Sequence, residues 1–240
     1  MRNKLEKKIN ENWTFRKVYD KKWLKAQVPG CVHTDLYANN IIPDPFHGTN
    51  EKDLQWISYE NWEYKTILNL DNEFISKEVQ LLKFYGLDTY AKVYVNGKLL
   101  IETNNMFHPW EVSVKDIFQL GENEVLVSFD SPIEKILPKM SKMDYELPAD
   151  NDQIKKTSPH TRKAPYHYGW DWGPSFATCG IWQNVEVIAY DFFTINDVHV
   201  NQKEVHPHNA KIEINVDVTS ELELEADLLI TEPKSKINIS

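Results

Sequence analysis

The chain has 240 residues, 41% hydrophobic and 26% charged, a balance that builds a packed core and excludes an intrinsically disordered protein. A formal net charge of -9 argues against a nucleic-acid partner, because backbone phosphates are held by clustered Lys and Arg. No segment approaches the ~18 consecutive apolar residues of a membrane-spanning helix, so no membrane partner is expected.

Arg2 to Lys8 is a basic run at the start of the chain and reads as a solvated, frayed segment. No apolar stretch follows it, so a secretory signal is not expected and a cytoplasmic location is the default. Thr34 to Asn39 reads as a helical turn. Trp62, Tyr64, Thr66, Leu68 and Leu70 alternate with mainly polar residues, the period of a half-buried strand. Glu78 to Phe84 continues in the same way. Tyr90 to Val95 and Lys98 to Ile101 flank Asn96-Gly97, the strongest short signal for a β-hairpin.

Lys115 to Phe118 reads as a second helical turn, and Glu124 to Phe129 as a strand that Ser131-Pro132 stops. Residues 131–165 show no clean period and are expected to cross the surface as a long loop, a class of segment that often carries function. They lead into Gly169-Trp170-Asp171-Trp172-Gly173-Pro174. Ile181 to Tyr190 returns to strand. From Ile195 the texture becomes plain and acidic, with strands expected at Val198 to Asn201, Lys211 to Val218 and Leu222 to Ile230. A boundary is therefore placed near residues 191–194. The stretch that follows holds about three strands, fewer than the ~100-residue sandwich of immunoglobulin type requires.

Self-sufficient catalytic motifs are missing: there is no Gly-x-Ser-x-Gly elbow, Walker loop, dinucleotide fingerprint or His-Glu-x-x-His helix. Cys31 and Cys179, the only cysteines, read as reduced packing residues, and His206-Pro-His208 reads as a solvated turn. Neither a metal nor a cofactor is expected. Glu60, Glu63, Asp88 and Asp171 lie in aromatic settings, but nothing in their spacing pairs any two as the carboxylates of glycoside hydrolysis. The Trp-Asp-Trp stretch has two readings. Its indoles could pack in the core, or their flat faces could meet a sugar ring while the carboxylate accepts hydrogen bonds from its hydroxyls.

Taken in order, a series of motifs resembles the start of the β-mannosidases of glycoside hydrolase family 2. They are Val28-Pro-Gly-Cys-Val-His-Thr-Asp-Leu36, Ile42-Pro-Asp-Pro-Phe46 with Gly48-Thr-Asn-Glu51, Trp56-Ile57, Trp62-Glu-Tyr64 and Phe84-Tyr-Gly-Leu-Asp-Thr-Tyr-Ala91. Asn96-Gly97, Asn105-Met-Phe107, Arg162-Lys163, Gly169 to Pro174 and Gly180-Ile-Trp182 complete the series. The resemblance implies an all-β chain: a jelly-roll, galactose-binding-like sandwich over residues 1–191, then the start of an immunoglobulin-like sandwich over residues 192–240. It also implies a (β/α)₈ barrel, absent from this chain, that bears both catalytic glutamates.

By the same resemblance the whole enzyme would be a retaining exo-glycosidase releasing terminal β-linked mannose. The partners are then a β-mannoside and the missing barrel of the same polypeptide. No catalytic residue is expected in this chain, and Asp171, Trp170 and Trp172 are expected to form a wall of the sugar pocket. Arg162 and Lys163 could touch substrate or pair with Asp171. Pro29, Gly30, Gly86 and Gly97 read as turn residues, Asp88-Thr89 as a turn at a strand entrance, and Trp13, Trp23, Trp56, Trp62 and Trp182 as core. Gln183 stands where the family leads one to expect a basic residue, which puts a local ion pair in doubt.

Overall fold

The computed structural model describes residues 4–220 and residue 223. These divide after Tyr190 into two compact units. The first contains β1 (Lys4–Lys8), β2 (Thr14–Lys17), β3 (Leu24–Lys25), helix α1 (Val32–Ala38), β4 (Trp62–Leu70), β5 (Val79–Phe84) and β6 (Leu87–Asp88). It continues with β7 (Ala91–Val95), β8 (Lys98–Glu102), β9 (Trp110–Ser113), β10 (Gly121–Phe129), β11 (Gly180–Ile181) and β12 (Val185–Tyr190). A four-stranded sheet runs β1-β12-β5-β9, a six-stranded sheet runs β3-β2-β4-β10-β7-β8, and β6 pairs with β11.

The two larger sheets form an all-β sandwich because their strands alternate. In β4 the residues Trp62, Tyr64, Thr66, Leu68 and Leu70 are buried, and β10 opposes them in antiparallel register from Trp62↔Phe129 to Leu70↔Gly121. Val125, Val127 and Phe129 of β10, Val93 and Val95 of β7, Leu82 and Phe84 of β5, and Val185 and Val187 of β12 join them in one core. Each such side chain contributes ~1.5–3 kcal/mol on burial, so a one-residue slip in register would lose the whole inner face. At Asn96-Gly97 both residues have positive φ, 49° and 79°, as the two-residue hairpin turn requires. Helix α1 is fastened to the sheet by Asp35, whose carboxylate accepts from the Gln27 N–H and the Tyr64 hydroxyl, each at 2.8 Å. Burial raises the Asp35 pKa to about 6, against the downward pull of those two hydrogen bonds.

Four expectations change. Lys4–Lys8 is an edge strand paired with β12 over its full length, because Leu5 packs on the core while the lysine stems remain outside. Trp56 is 40% exposed at the surface. Gly86 is required for close approach, since a Cβ there would stand 2.3 Å from Nε1 of the half-buried Trp182. The excursion of residues 131–165 is no plain surface loop: Ile133 joins Tyr168 and Ala177 in a small second core, with Leu137 and Ile154 packed against it.

In the second unit β13 (Phe193–His206) and β14 (Asn209–Ser220) form a long antiparallel ribbon, with register shifts between Ile195 and Asp197 and between Gln202 and Glu204. His206 and His208 lie at its turn and are exposed. The strand expected at Leu222 to Ile230 lies outside the described residues, apart from Glu223.

Candidate functional site

The candidate site is a loop mounted on a buried ionic base. The short β6 strand ends at Asp88, which pairs with Gly180 of β11, and the fold delivers Lys163 to it from the end of the long excursion. The Lys163 side chain is fully buried; its ammonium donates to the Asp88 carboxylate and, at 2.8 Å, to the Thr178 carbonyl. The Thr89 hydroxyl donates to the same carboxylate, so the charge inside is paired and hydrogen-bonded, as burial demands. Asp88 is thus no turn residue, and Lys163 is committed to it rather than to Asp171.

Two histidines border this pair. His33 of α1 lies 3.0 Å from the Thr178 hydroxyl through Nδ1, with its ring edge-on to Phe176 at 5.2 Å. Burial, then the charge of Lys163, then His167 lower its pKa to about 3. His167 Nδ1 stands 3.8 Å from Asp88, yet desolvation and the Lys163 ammonium outweigh that carboxylate and lower its pKa to about 4. Both imidazoles are therefore neutral at pH 7. One buried carboxylate supports one buried cation here, not three.

The loop leaves the base through Tyr168 and Gly169. Gly169 has φ 114°, and a Cβ on it would fall 2.8 Å from the Asn151 carbonyl oxygen, so no other residue fits without displacing the neighbouring segment. Gln153 tethers the same point, its N–H donating to the Tyr168 carbonyl at 2.9 Å and its Nε2 to that of Trp170 at 3.2 Å. Trp170 and Gly173 exchange backbone hydrogen bonds of 3.4 Å in both directions, which closes a four-residue turn with Asp171 and Trp172 at its tip. On the return side the Ser175 N–H donates to Glu51 at 2.6 Å, and Gln55 donates to the Ser175 carbonyl at 2.8 Å.

The tip is open. Trp172 is 82% exposed, Trp170 is half-buried, and their rings meet nearly edge to face at 5.7 Å and 67°. Asp171 is exposed and, among the described residues, has no hydrogen bond or ion pair. Both indoles border a cleft of about 550 Å³ whose other walls are Pro165, Tyr166, His167, Gly173, Pro174 and Phe176. Asp171 itself does not line this cleft. Such an arrangement can stack a flat ligand face on indole and offer an adjacent carboxylate as acceptor, which is a means of recognition and not of bond cleavage.

The sequence thus located the tip but not its supports. Arg162 is exposed, and its carbonyl accepts from the Met106 N–H at 3.0 Å. Glu63 pairs with Arg16 at 2.7 Å and Glu60 with Lys17 at 3.4 Å, so each acidic candidate of β4 and its approach has its own cation. Tyr166, His167 and Phe176 as walls, and Glu51 and Gln55 as anchors, were not anticipated. The aromatic run Tyr166-His-Tyr168 beside the tip was the available signal for the walls. Among the described residues no group of three His, Cys, Asp or Glu is placed to hold a metal ion, and no helix is long and apolar enough to cross a membrane.

Comparison with known proteins gives this geometry its class. The chain belongs to the glycosyl hydrolase 2 galactose-binding domain-like family, whose model matches residues 13–183. Beta-mannosidase B of Thermothelomyces thermophilus is 35% identical over 192 residues, covering 76% of this chain and 22% of that protein. A probable beta-mannosidase of Caenorhabditis elegans is 36% identical over 190 residues, covering 75% and 21%. The crystal structure of a beta-D-mannosidase from Dictyoglomus thermophilum superposes with a TM-score of 0.84 at 40% identity, over 90% of this chain and 26% of that one. An exo-chitosanase from Amycolatopsis orientalis shares the fold at a TM-score of 0.67 and 20% identity, over 91% and 24%. This chain spans about a fifth of the length of the two curated relatives.

Proposed function

We propose that this chain is the amino-terminal part of a retaining exo-β-mannosidase that hydrolyses terminal, non-reducing β-D-mannose residues. Its role is to supply one wall of the sugar pocket through Trp170, Asp171 and Trp172. The two catalytic glutamates belong to a (β/α)₈ barrel further along the same polypeptide, where retention needs carboxyl groups ~5–5.5 Å apart. Residues 192–240 begin an immunoglobulin-like sandwich. In support, the ribbon of β13 and β14 leaves Val198, Val200, Ile212 and Val216 exposed, an apolar face that further strands would cover.

The observation that carries this reading is the contrast within the loop: a free carboxylate between two indoles, held out on a base whose buried charges are satisfied. Packing alone would not leave a Trp 82% exposed beside an Asp that has no partner among the described residues. The choice of mannose rests on sequence identity, 35% and 36% to beta-mannosidases against 16 to 20% to the glucuronidases and the exo-chitosanase that share the fold. The test is to assay the complete polypeptide against 4-nitrophenyl β-glycosides of mannose, galactose, glucuronic acid and glucosamine. Turnover of the mannoside is expected, with residues 1–240 alone giving no rate above a buffer blank. Preference for another sugar, or hydrolysis by residues 1–240 alone, would overturn the reading.

The open cleft also supports a second reading, a carbohydrate-binding module that works by itself. Calorimetry of this chain with manno-oligosaccharides separates the two, because half of a shared pocket should release no measurable heat.

A further inference from the structure

The cleft bordered by the two indoles is short of side-chain hydrogen-bond acceptors. Trp170 and Trp172 only donate, through Nε1, and Pro165, Gly173, Pro174 and Phe176 bring no polar side-chain atom. A sugar hydroxyl buried there needs an acceptor for its proton, and Asp171 stands outside the lining. Tyr166 and His167 are the lining residues that could provide one. Tyr166 is 62% exposed, whereas the His167 side chain is only 19% exposed.

What sets His167 apart is the unequal environment of its two nitrogens. Nδ1 is sealed from solvent without a hydrogen-bond partner, 3.8 Å from the Asp88 carboxylate. That separation is too long for a hydrogen bond, yet the negative charge favours a proton on the nitrogen that faces it. Asp88 is itself held by the Lys163 ammonium and the Thr89 hydroxyl. Desolvation and the charge of Lys163 keep the ring neutral at pH 7, so a proton on Nδ1 leaves Nε2 with a free lone pair. Unlike Nδ1, Nε2 is neither sealed nor hydrogen-bonded among the described residues. The ring is further steadied by Tyr166, which it meets edge to face at 4.8 Å and 83°.

We infer that His167 is a specificity-determining residue of this pocket, accepting through Nε2 a hydrogen bond from one hydroxyl of the terminal sugar, with Asp88 fixing the tautomer. The inference rests on the β-mannosidase reading and adds to its pocket a polar contact besides Asp171. An acceptor fixed in this way discriminates, because a sugar without that hydroxyl leaves Nε2 unpaired in the closed pocket.

The experiment removes the acceptor and the hydroxyl in turn. In the complete polypeptide, kcat/KM is measured for 4-nitrophenyl β-mannoside and for its 2-, 3-, 4- and 6-deoxy derivatives, with wild type, His167→Phe and His167→Gln. The first substitution keeps a flat ring without either nitrogen. Because Nδ1 makes no hydrogen bond, its melting temperature is expected to stay within about 2 °C of wild type. A loss of about tenfold on the parent mannoside is expected, shrinking to less than about twofold on one deoxy derivative alone. His167→Gln restores an acceptor and is expected to stay within about threefold of wild type on the parent. Equal losses on all the substrates, or no loss on any, would overturn the role of His167 while leaving the β-mannosidase reading in place. If His167→Phe does not fold, His167→Leu is judged by the same criteria. No turnover of any β-mannoside by the wild-type polypeptide would overturn both.

Discussion

The base and the tip of the aromatic loop differ in almost every physical respect. At the base Asp88 and Lys163 are buried, and each spends its charge on a partner within the fold. At the tip Asp171 is exposed with no partner among the described residues, and Trp172 presents most of its surface to solvent. The difference teaches where the two regions put their free energy. The base contributes to folding and to holding the loop in place, whereas the exposed tip buries little surface and leaves the Asp171 carboxylate and the Trp172 indole accessible.

The largest expected effect therefore belongs to the base. Lys163→Met leaves the Asp88 carboxylate buried without its cation, at a cost of ~3–5 kcal/mol in a urea unfolding curve, and adding Asp88→Leu should recover much of that. If Lys163→Met unfolded like wild type, the ionic base would not be the support described above. Away from the loop, Asp35 sets a pH dependence of known sign. Its folded pKa of about 6 lies above the unfolded value, so its contribution is fully present below about pH 4 and is lost as pH rises through 6. A carboxyl pKa raised that far is worth ~3 kcal/mol at most. His33 and His167 act in the opposite direction, their contribution being present above the unfolded value of 6.5 and lost as pH falls toward 4 and 3. Melting of Asp35→Asn from pH 4.5 to 7.5 should accordingly lack the Asp35 component and show a steeper loss toward acid than wild type; identical slopes would remove Asp35 from the account.

Smaller effects fall where base and tip join and at the tip itself. Gly169→Ala places a Cβ against the Asn151 carbonyl in a backbone region that alanine avoids, so ~1–3 kcal/mol of stability should be lost, with a change in tryptophan fluorescence as the loop shifts. Trp172→Ala removes a side chain that is already 82% exposed, so thermal unfolding should move by no more than ~0.5 kcal/mol. A large loss there would turn the tip into a packing element.

How far the sequence disclosed all this depended on the range of each interaction. Strand alternation in Trp62–Leu70 and the Asn96-Gly97 turn are local patterns, and they were legible. So was the Trp-Asp-Trp tip, whose composition is unusual within a few residues. The partners of Asp88 and Ser175 were not, because Lys163 lies 75 positions away and Glu51 lies 124 away, and no local pattern records such pairings. Edge strand β1 was concealed by its four charged residues, which a single half-buried Leu5 outweighs once β12 offers its backbone. Trp56 was misplaced because residue type alone does not say which side of a short helical turn faces the core.

The most direct test of the tip's role is Asp171→Asn in the complete polypeptide, read as both stability and kcat/KM on a β-mannoside. The substitution keeps the shape and removes the charge that, in the proposed role, would strengthen hydrogen bonds to sugar hydroxyls, each of ~1.5–3 kcal/mol. We expect a ten- to hundredfold loss of kcat/KM with an unchanged melting temperature. Unchanged catalysis would contradict the role assigned to Asp171 and leave the loop as a docking element alone.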